Sequence, residues 1–209
     1  MNDKIVPRWL TWAREIQALA QTSYHFSENE YQRQRNRRLM EIAAEIIAEY
    51  ADLETPPLAK AFDSQVGYAT PHIDVRGAAF QEGKLLMVRE SQDGGWTMPG
   101  GWADVGEMPS VAAEREVWEE AGFRVKAKKV IGVYDANRVG PLEVFHAYKI
   151  VFLCDVLSGT ARPSNETSEV AFFAEDEIPP VLSGERTRPR HIVDAFKAYH
   201  NPDCMTVFD

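Results

Sequence analysis

Three glutamates at helical spacing are the residues of this chain best suited to chemistry. Glu116 and Glu120 are four residues apart and Glu119 is three from Glu116, so a helix places their carboxylates on one stripe. Pro109 is typical of a first helical turn and Gly122 of the residue just past a helix end, which predicts a helix between them. Like charges on one stripe repel, and hard divalent cations relieve that repulsion because they prefer oxygen ligands. The pattern therefore predicts a divalent-metal site.

A glycine pair lies shortly before this helix. Gly100 and Gly101 carry no side chain, so a bare backbone carbonyl could approach the same cation. The alternative interpretation of the glutamates is an acidic helix face that is simply solvated.

The stretch from Gly101 to Phe123, GWADVGEMPSVAAEREVWEEAGF, resembles the signature of the Nudix family. That signature is G, five residues, E, seven residues, REU, one residue, EE, one residue, GU, with U aliphatic or aromatic, and the stretch matches every defined position. The resemblance implies hydrolysis of a diphosphate joined to another group X, with Mg²⁺ or Mn²⁺ as cofactor. The roles it implies are metal ligation by Glu116, Glu119, Glu120 and the Gly100 carbonyl, orientation of a glutamate by Arg115, and structural roles for Gly101, Glu107 and Gly122.

The composition is that of a globular protein with an acidic surface. The chain has 209 residues, 44% hydrophobic and 26% charged, with a formal net charge of −9. This acidity argues against a general nucleic-acid binder, whose affinity depends on basic surface. No apolar run approaches the roughly 18 residues of a membrane span, and the N-terminus lacks the apolar core of a signal peptide. With two cysteines, Cys154 and Cys204, we expect a cytoplasmic location.

Residues 1–51 are predicted to form a small helical hairpin domain. Apolar residues recur at helical spacing over 9–20 and 31–47. Ser27, with Glu30 three residues later, matches a capping box at the start of the second helix. A hairpin of this size has little stability alone, so it should dock on the main domain or on a second copy, and we expect a homodimer.

The second predicted helix carries a basic cluster that is open to two interpretations. Its members are Arg33, Arg35, Arg37 and Arg38. They could contact phosphate or RNA, or they could form a solvated face that pairs with acidic neighbours.

Residues 70–209 are predicted to form the catalytic domain, after a linker at 52–69 that contains Pro56-Pro57 and little periodicity. HIDVRGAAF and KLLMVRE are apolar runs separated by QEG, which predicts a β-hairpin. Two longer strands follow the signature, and a helix from about Pro189 to His200 closes the domain. This order is similar to that of the Nudix fold, an α/β/α sandwich with a mixed sheet between helices.

Candidates for substrate binding and proton transfer lie outside the signature. Arg76 and Arg89 lie within or at the end of the hairpin strands, which flank the substrate diphosphate in Nudix proteins; a surface salt bridge is the alternative for each. An acidic loop supplies Glu166 and Glu169 as candidates for a general base or a further metal ligand, and Glu119 of the signature is the alternative base.

Three more polar residues flank the second predicted hairpin: Asp135, Arg138 and His146. Each could contact the X group. For the histidine, a structural role is the alternative interpretation.

The identity of X rests on a second, less specific resemblance that covers nearly the whole chain. The N-terminal helical pair, HIDVRG, ETSEVAFF and PPVLSGERT resemble a bacterial subgroup that includes CDP-choline pyrophosphatases and proteins described as ADP-ribose pyrophosphatases. This resemblance implies CDP-choline as substrate, giving CMP and phosphocholine, with ADP-ribose as the alternative. A non-catalytic ligand-binding Nudix module is the alternative of another class, which the intact signature disfavours.

Overall fold

The chain folds into two compact units in a computed structural model. The structure describes residues 7–51, 54–64, 67–136, 146–184 and 186–209. One unit contains the described residues up to His72 together with His146, and the other contains those from 73 to 136 and from 147 onward. None of the described helices is long and apolar enough to cross a membrane.

The N-terminal unit is built from three helices, α1 (Arg8–Phe26), α2 (Glu30–Ala51) and α3 (Thr55–Ser64). The first two confirm the helices predicted from apolar periodicity. Their apolar faces share a core with α3. The buried members of this core are Leu10, Ala13, Ala43, Ala44, Ile47, Leu58 and Phe62.

Helix α3 corrects the prediction that 52–69 is a linker. Pro56 and Pro57 lie in its first turn, where a missing N–H breaks no helical hydrogen bond, so the proline pair starts this helix instead of preventing one. Leu58 and Phe62, four residues apart, place one face of the helix in the core.

The start of α2 also differs from the prediction. Asn29 caps it in place of Ser27, because Asn29 Oδ1 accepts the Tyr31 N–H at 2.9 Å.

The basic cluster of α2 is engaged by neighbouring groups. Arg33 Nε donates to a backbone carbonyl at 2.8 Å, and Arg38 Nη1 donates to Glu45 at 2.7 Å. Arg35 and Arg37 lie over tyrosine rings. These contacts favour the interpretation of a solvated face that pairs locally.

The second unit is a mixed sheet between helices. Its strands are β1 (His72–Gln81), β2 (Lys84–Glu90), β3 (Trp96–Thr97), β4 (Gly100–Trp102), β5 (Phe123–Asp135), β6 (Ala147–Gly159), β7 (Thr167–Phe173) and β8 (Val207–Phe208). Helix α4 (Pro109–Ala121) precedes β5, a 3₁₀ turn (Glu175–Glu177) follows β7, and α5 (Pro189–His200) precedes β8. The strand order is β3-β2-β1-β6-β5-β8, with β4 paired to β1 and β7 to β2. The β1–β2 and β5–β6 pairs are antiparallel, whereas β5–β8 is parallel.

Alternating side chains of the sheet bury two apolar layers. Along β2, Leu85 and Met87 belong to the core that includes α5, whereas Leu86 and Val88 belong to the core that includes α4. One helix therefore covers each face of the sheet, which confirms the predicted α/β/α sandwich.

Candidate active site

Helix α4 carries the three glutamates, and its ends explain why it forms where it does. It begins at Pro109, as predicted, and is preceded by extended backbone at Met108. It ends at Gly122, which adopts a left-handed conformation (φ 78°) and donates its N–H to the Trp118 carbonyl. The glycine of the signature therefore ends the helix immediately after the glutamate pair.

Glu120 is the buried carboxylate of the helix. Glu120 is only 6% exposed, and its Oε2 accepts a hydrogen bond from the backbone N–H of Gly100 at 2.9 Å. Burial raises the pKa of Glu120 to about 7, although the positive charge of Arg76 and the Gly100 hydrogen bond act in the opposite direction. The loss of hydration on burial therefore outweighs the nearby positive charge of Arg76.

Gly100 has no space for a side chain at this point. A Cβ there would lie 2.0 Å from the Val75 carbonyl oxygen, and its φ of 151° disfavours other residues as well. The next residue, Gly101, lies close to Glu116. A Cβ added to Gly101 would be 3.1 Å from the Glu116 carboxyl group. Strand β4 and helix α4 therefore meet through glycine backbone against glutamate side chains.

Glu116 and Glu119 share one cation, the guanidinium of Arg115. Arg115 Nη1 donates to Glu116 at 2.7 Å and to Glu119 at 3.1 Å. Arg115 Nη2 donates to Glu107 at 3.0 Å, so the signature arginine joins the loop before the helix to its glutamates. Burial raises the pKa of Glu116 although Arg115 opposes this effect, whereas hydrogen bonds from Arg115 lower the pKa of Glu107.

The donor set of this region suits a hard divalent cation. Within the described residues, no group of three His, Cys, Asp or Glu side chains is already arranged as a metal site. Two carboxylates of α4 nevertheless have a raised pKa through burial, which a bound cation would reverse by supplying positive charge. Carboxylate oxygens and a glycine carbonyl are the ligands that Mg²⁺ and Mn²⁺ accept.

Arg76, whose positive charge acts on Glu120, belongs to a buried cluster of charges. Its Nε and Nη2 donate to the two carboxyl oxygens of Asp74 at 2.9 and 2.8 Å. Lys149 Nζ lies 3.5 Å from Asp74 and donates to the Arg186 carbonyl at 2.7 Å. Although burial raises the pKa of Asp74, the two cations lower it overall. Sequence reasoning found Arg76 but not its partners Asp74 and Lys149.

Glu90 is a further buried carboxylate that sequence reasoning missed. It ends β2, and Arg186 Nε lies 3.3 Å from its Oε1. Burial raises the pKa of Glu90, and the charge of Arg186 opposes that rise. No motif marks it, because its position next to the site follows only from the pairing of the strands.

The other predicted residues are distributed around the sheet. Arg89 donates to Glu169 at 2.6 Å and to the Gly94 carbonyl at 2.9 Å, so it forms the salt bridge given as the alternative for it. Glu166 is exposed in the loop before β7 and accepts the Ser91 N–H through its backbone.

Residues of the second hairpin are only partly described. Asp135 ends β5, and its N–H is bound by Asp209 Oδ2 at 2.8 Å. His146 accepts the His72 N–H through its carbonyl and belongs to the N-terminal unit. Arg138 lies outside the described residues.

Comparison with known proteins agrees with this fold. Residues 70–196 match the model of the NUDIX domain, and residues 7–62 match the UDP-X-like, N-terminal oligomerisation domain. The chain belongs to the Nudix hydrolase family and is a pyrophosphohydrolase by class.

Relatives that cover the whole chain or its catalytic part are similar in sequence and structure. The chain is 35% identical over 207 residues to YjhB of Bacillus subtilis (strain 168), to which ADP-ribose pyrophosphatase activity is ascribed, and 99% of each protein is covered. It is 36% identical to the crystal structure of an ADP-ribose pyrophosphatase from Streptococcus suis 89-1591, with a TM-score of 0.61 over 67% of this chain and 100% of that one. The crystal structure of UDP-X diphosphatase also has a TM-score of 0.61, at 27% identity over 97% of this chain and 98% of that one.

Proposed function

We propose that the protein hydrolyses the phosphoanhydride of a nucleoside diphosphate joined to a group X, with Mg²⁺ or Mn²⁺ as cofactor. The observation that carries this proposal is the contact between Glu120 and the Gly100 N–H beside Glu116. It joins two carboxylates of one helix to a glycine backbone that no side chain obstructs. Such an oxygen-rich, partly buried site is suited to a divalent cation and a diphosphate.

Each residue of the site has a distinct proposed role. Glu116, Glu119, Glu120 and the Gly100 carbonyl would hold the cation, which when bound neutralises charge on the diphosphate and acts as a Lewis acid. Arg115 orients the first two of these glutamates through hydrogen bonds at 2.7 and 3.1 Å. Glu166 is the proposed proton acceptor because it is exposed and lies on the loop before β7, which pairs with β2.

The binding of substrate is proposed to involve charged residues outside the signature. Arg89 is the next-to-last residue of β2 and Asp135 the last of β5, and we propose that their side chains contact the phosphates or X. Arg138, outside the described residues, is kept as a candidate on its sequence position alone. Arg76 is bound to Asp74 and buried, which favours an electrostatic effect on Glu120 over direct contact with substrate.

ADP-ribose is the first candidate substrate. It is favoured by the activity ascribed to YjhB, which is similar along 99% of both chains, and by the name of the Streptococcus suis structure. A pyrimidine nucleoside diphosphate such as CDP-choline is the second candidate. The similarity to UDP-X diphosphatase over 97% of this chain favours it, because that protein is named for a pyrimidine nucleotide substrate.

A panel of substrates tests the proposal. Purified protein with Mg²⁺ or Mn²⁺ is given ADP-ribose, CDP-choline, a UDP-sugar, NADH, a nucleoside triphosphate and a short RNA, and the products are separated by chromatography. AMP appearing fastest from ADP-ribose would support the first candidate, and CMP from CDP-choline the second. No turnover of any substrate, while Mn²⁺ still binds, would favour a non-catalytic ligand-binding module.

We also propose that the N-terminal unit joins two copies of the chain. Trp12, Leu19 and Phe26 of α1 are seven residues apart and are 52%, 66% and 68% exposed. Residues at this spacing lie on one helical face, so α1 presents an apolar stripe. The match of residues 7–62 to an oligomerisation domain supports a second copy as the occupant of this stripe. A cytoplasmic location stays a prediction.

A further inference from the structure

A segment far from the signature, residues 181–187 with residue 185 outside the described part, lies along strand β3. The Trp96 N–H donates to the Val181 carbonyl at 3.0 Å, and the Ser183 N–H donates to the Trp96 carbonyl at 2.9 Å. This segment belongs to PPVLSGERT, which none of the proposed roles above uses. Its last residue, Thr187, is fully buried, as is Thr97 of β3.

The two threonines form a ring of hydrogen bonds around Met98. The Met98 N–H donates to Thr187 Oγ1 at 2.9 Å, and Thr97 Oγ1 donates to the Met98 carbonyl at 3.0 Å. The two hydroxyl oxygens are 2.8 Å apart. Because each hydroxyl has one hydrogen and that of Thr97 is given to Met98, Thr187 must donate to Thr97. Both backbone polar groups of a fully buried residue are therefore satisfied by side chains.

The ring of hydrogen bonds surrounds the backbone just before Gly100 of the candidate active site. Arg76 Nη1 also donates to the Met98 carbonyl at 3.3 Å, and the Pro99 carbonyl accepts the Gly77 N–H at 2.9 Å. The next N–H along the chain, that of Gly100, is the one bound by Glu120. The backbone from Met98 to Gly100 is thus fixed at each residue, and Thr187 supplies the only described partner of the Met98 N–H.

We propose that Thr187 is a positioning residue of the active site. Through the ring around Met98 it sets the path of the backbone to Gly100, so that the N–H and carbonyl of Gly100 face Glu120 and the cation. Thr187 has no described hydrogen bond to a glutamate of the signature, so the route proposed for its effect is the 98–100 backbone. This inference rests on the proposed metal-dependent function, and it adds to that function a residue outside the signature.

Three substitutions separate the hydroxyl from the shape of the side chain. Thr187→Val keeps the branched shape but leaves the Met98 N–H without its acceptor. Thr97→Val keeps that bond and leaves the Met98 carbonyl paired with Arg76, so its effect should be smaller. Thr187→Ser keeps the hydroxyl. Tyr134→Phe is the matched control, because it removes a hydroxyl of the same core that donates to Asp194 at 2.9 Å and has no described hydrogen bond to residues 98–100.

The measurements are hydrogen exchange at Met98 and Gly100, Mn²⁺ binding by electron paramagnetic resonance, and kcat and KM on the best substrate. We expect Thr187→Val to speed exchange at both amides and to weaken Mn²⁺ binding by on the order of tenfold, with a larger effect on kcat than on KM. Thr97→Val should show a smaller change in the same direction. Thr187→Ser should restore wild-type values, and Tyr134→Phe should lower Tm without a change in Mn²⁺ binding.

Wild-type exchange at Gly100 together with wild-type Mn²⁺ binding in folded Thr187→Val would overturn the inference. If Thr187→Val does not fold, the same result in folded Thr97→Val would overturn it. Equal weakening of Mn²⁺ binding in Tyr134→Phe would also overturn it, since the effect would then be one of general stability. Failure of the proposed function would be distinct from these two outcomes, because the wild-type protein itself would then hydrolyse no substrate. The exchange and Mn²⁺ measurements do not depend on turnover.

Discussion

The Gly100 N–H and the Glu120 carboxylate are joined by a hydrogen bond of 2.9 Å that connects strand β4 to the end of helix α4. We predict that Glu120→Gln lowers kcat by on the order of 10³-fold at saturating Mg²⁺, because the amide keeps the acceptor for Gly100 but loses the negative charge for the cation. Steady-state kinetics with circular dichroism as a check of the fold measures this. Near-normal turnover in a folded variant would contradict the assignment of the site.

The pKa of Glu120 predicts how stability varies with pH in the absence of metal. Burial raises that pKa to about 7 from the usual 4.5. As the pH rises above 4.5, the unfolded chain loses this proton first, so the free energy of unfolding should fall until about pH 7. The full effect is on the order of 3 kcal/mol.

Urea unfolding in EDTA between pH 4 and 8 measures this dependence. Glu120→Gln should make it shallower, because one of the three buried carboxylates with a raised pKa is gone, while Glu90 and Glu116 remain. Glu82→Gln, which removes one negative charge at an exposed position between β1 and β2, is the control for the loss of a carboxylate as such. An equal slope in wild type and Glu120→Gln would show that the decrease comes from other groups.

Arg115 makes contacts that a lysine cannot replace. Its guanidinium donates to Glu107, Glu116 and Glu119, and the single ammonium of lysine cannot span all three. We predict that Arg115→Lys lowers kcat/KM by at least about tenfold, by loosening the orientation of the ligand glutamates. Arg38→Lys is the control, because Arg38 also bridges glutamates but in the N-terminal unit. A loss in both variants would point to a general effect of replacing arginine.

Local signals predicted helix α4 well, whereas contacts between distant segments had no signal in the sequence. Pro109 and Gly122 mark the ends of that helix because each suits only one end of a helix. Asp74 and Lys149, in contrast, meet through strands that are far apart along the chain. The pairing of strands depends on the packing of the whole sheet, so Lys149 could not be identified as a partner beforehand. Asp74 lies two residues from Arg76 in β1, on the same face of the strand, so the alternation of side chains could have identified it.

Helix α3 was missed for a different reason. A proline pair usually interrupts structure, and the prediction of a linker at 52–69 followed that general rule. Proline is nevertheless compatible with the first turn of a helix, and the contribution of Leu58 and Phe62 to a core with α1 and α2 stabilises the helix that follows. Only the tertiary contact distinguishes the two outcomes.

The two arginines of the β1–β2 hairpin should differ strongly in their effect on stability. Arg76→Ala removes one partner of a buried ion pair and should lower the free energy of unfolding by on the order of 3 kcal/mol. Arg89→Ala breaks an exposed pair with Glu169 and should cost less than about 1 kcal/mol. Urea unfolding at one pH compares them directly. A loss in Arg89→Ala equal to that in Arg76→Ala would contradict the roles inferred from burial.

The apolar stripe of α1 predicts a dimer that a single charge can disrupt. Leu19 is its central residue, and burying a leucine in an interface contributes about 1.5–3 kcal/mol, so placing a carboxylate there should dissociate the dimer. Light scattering after size-exclusion chromatography should give twice the chain mass for the wild type and the chain mass for Leu19→Glu. Leu39→Glu makes the same exchange at an exposed position of α2 and should stay dimeric. If Leu39→Glu alone dissociates, the interface lies on α2, and a monomeric wild type would rule out a dimer altogether.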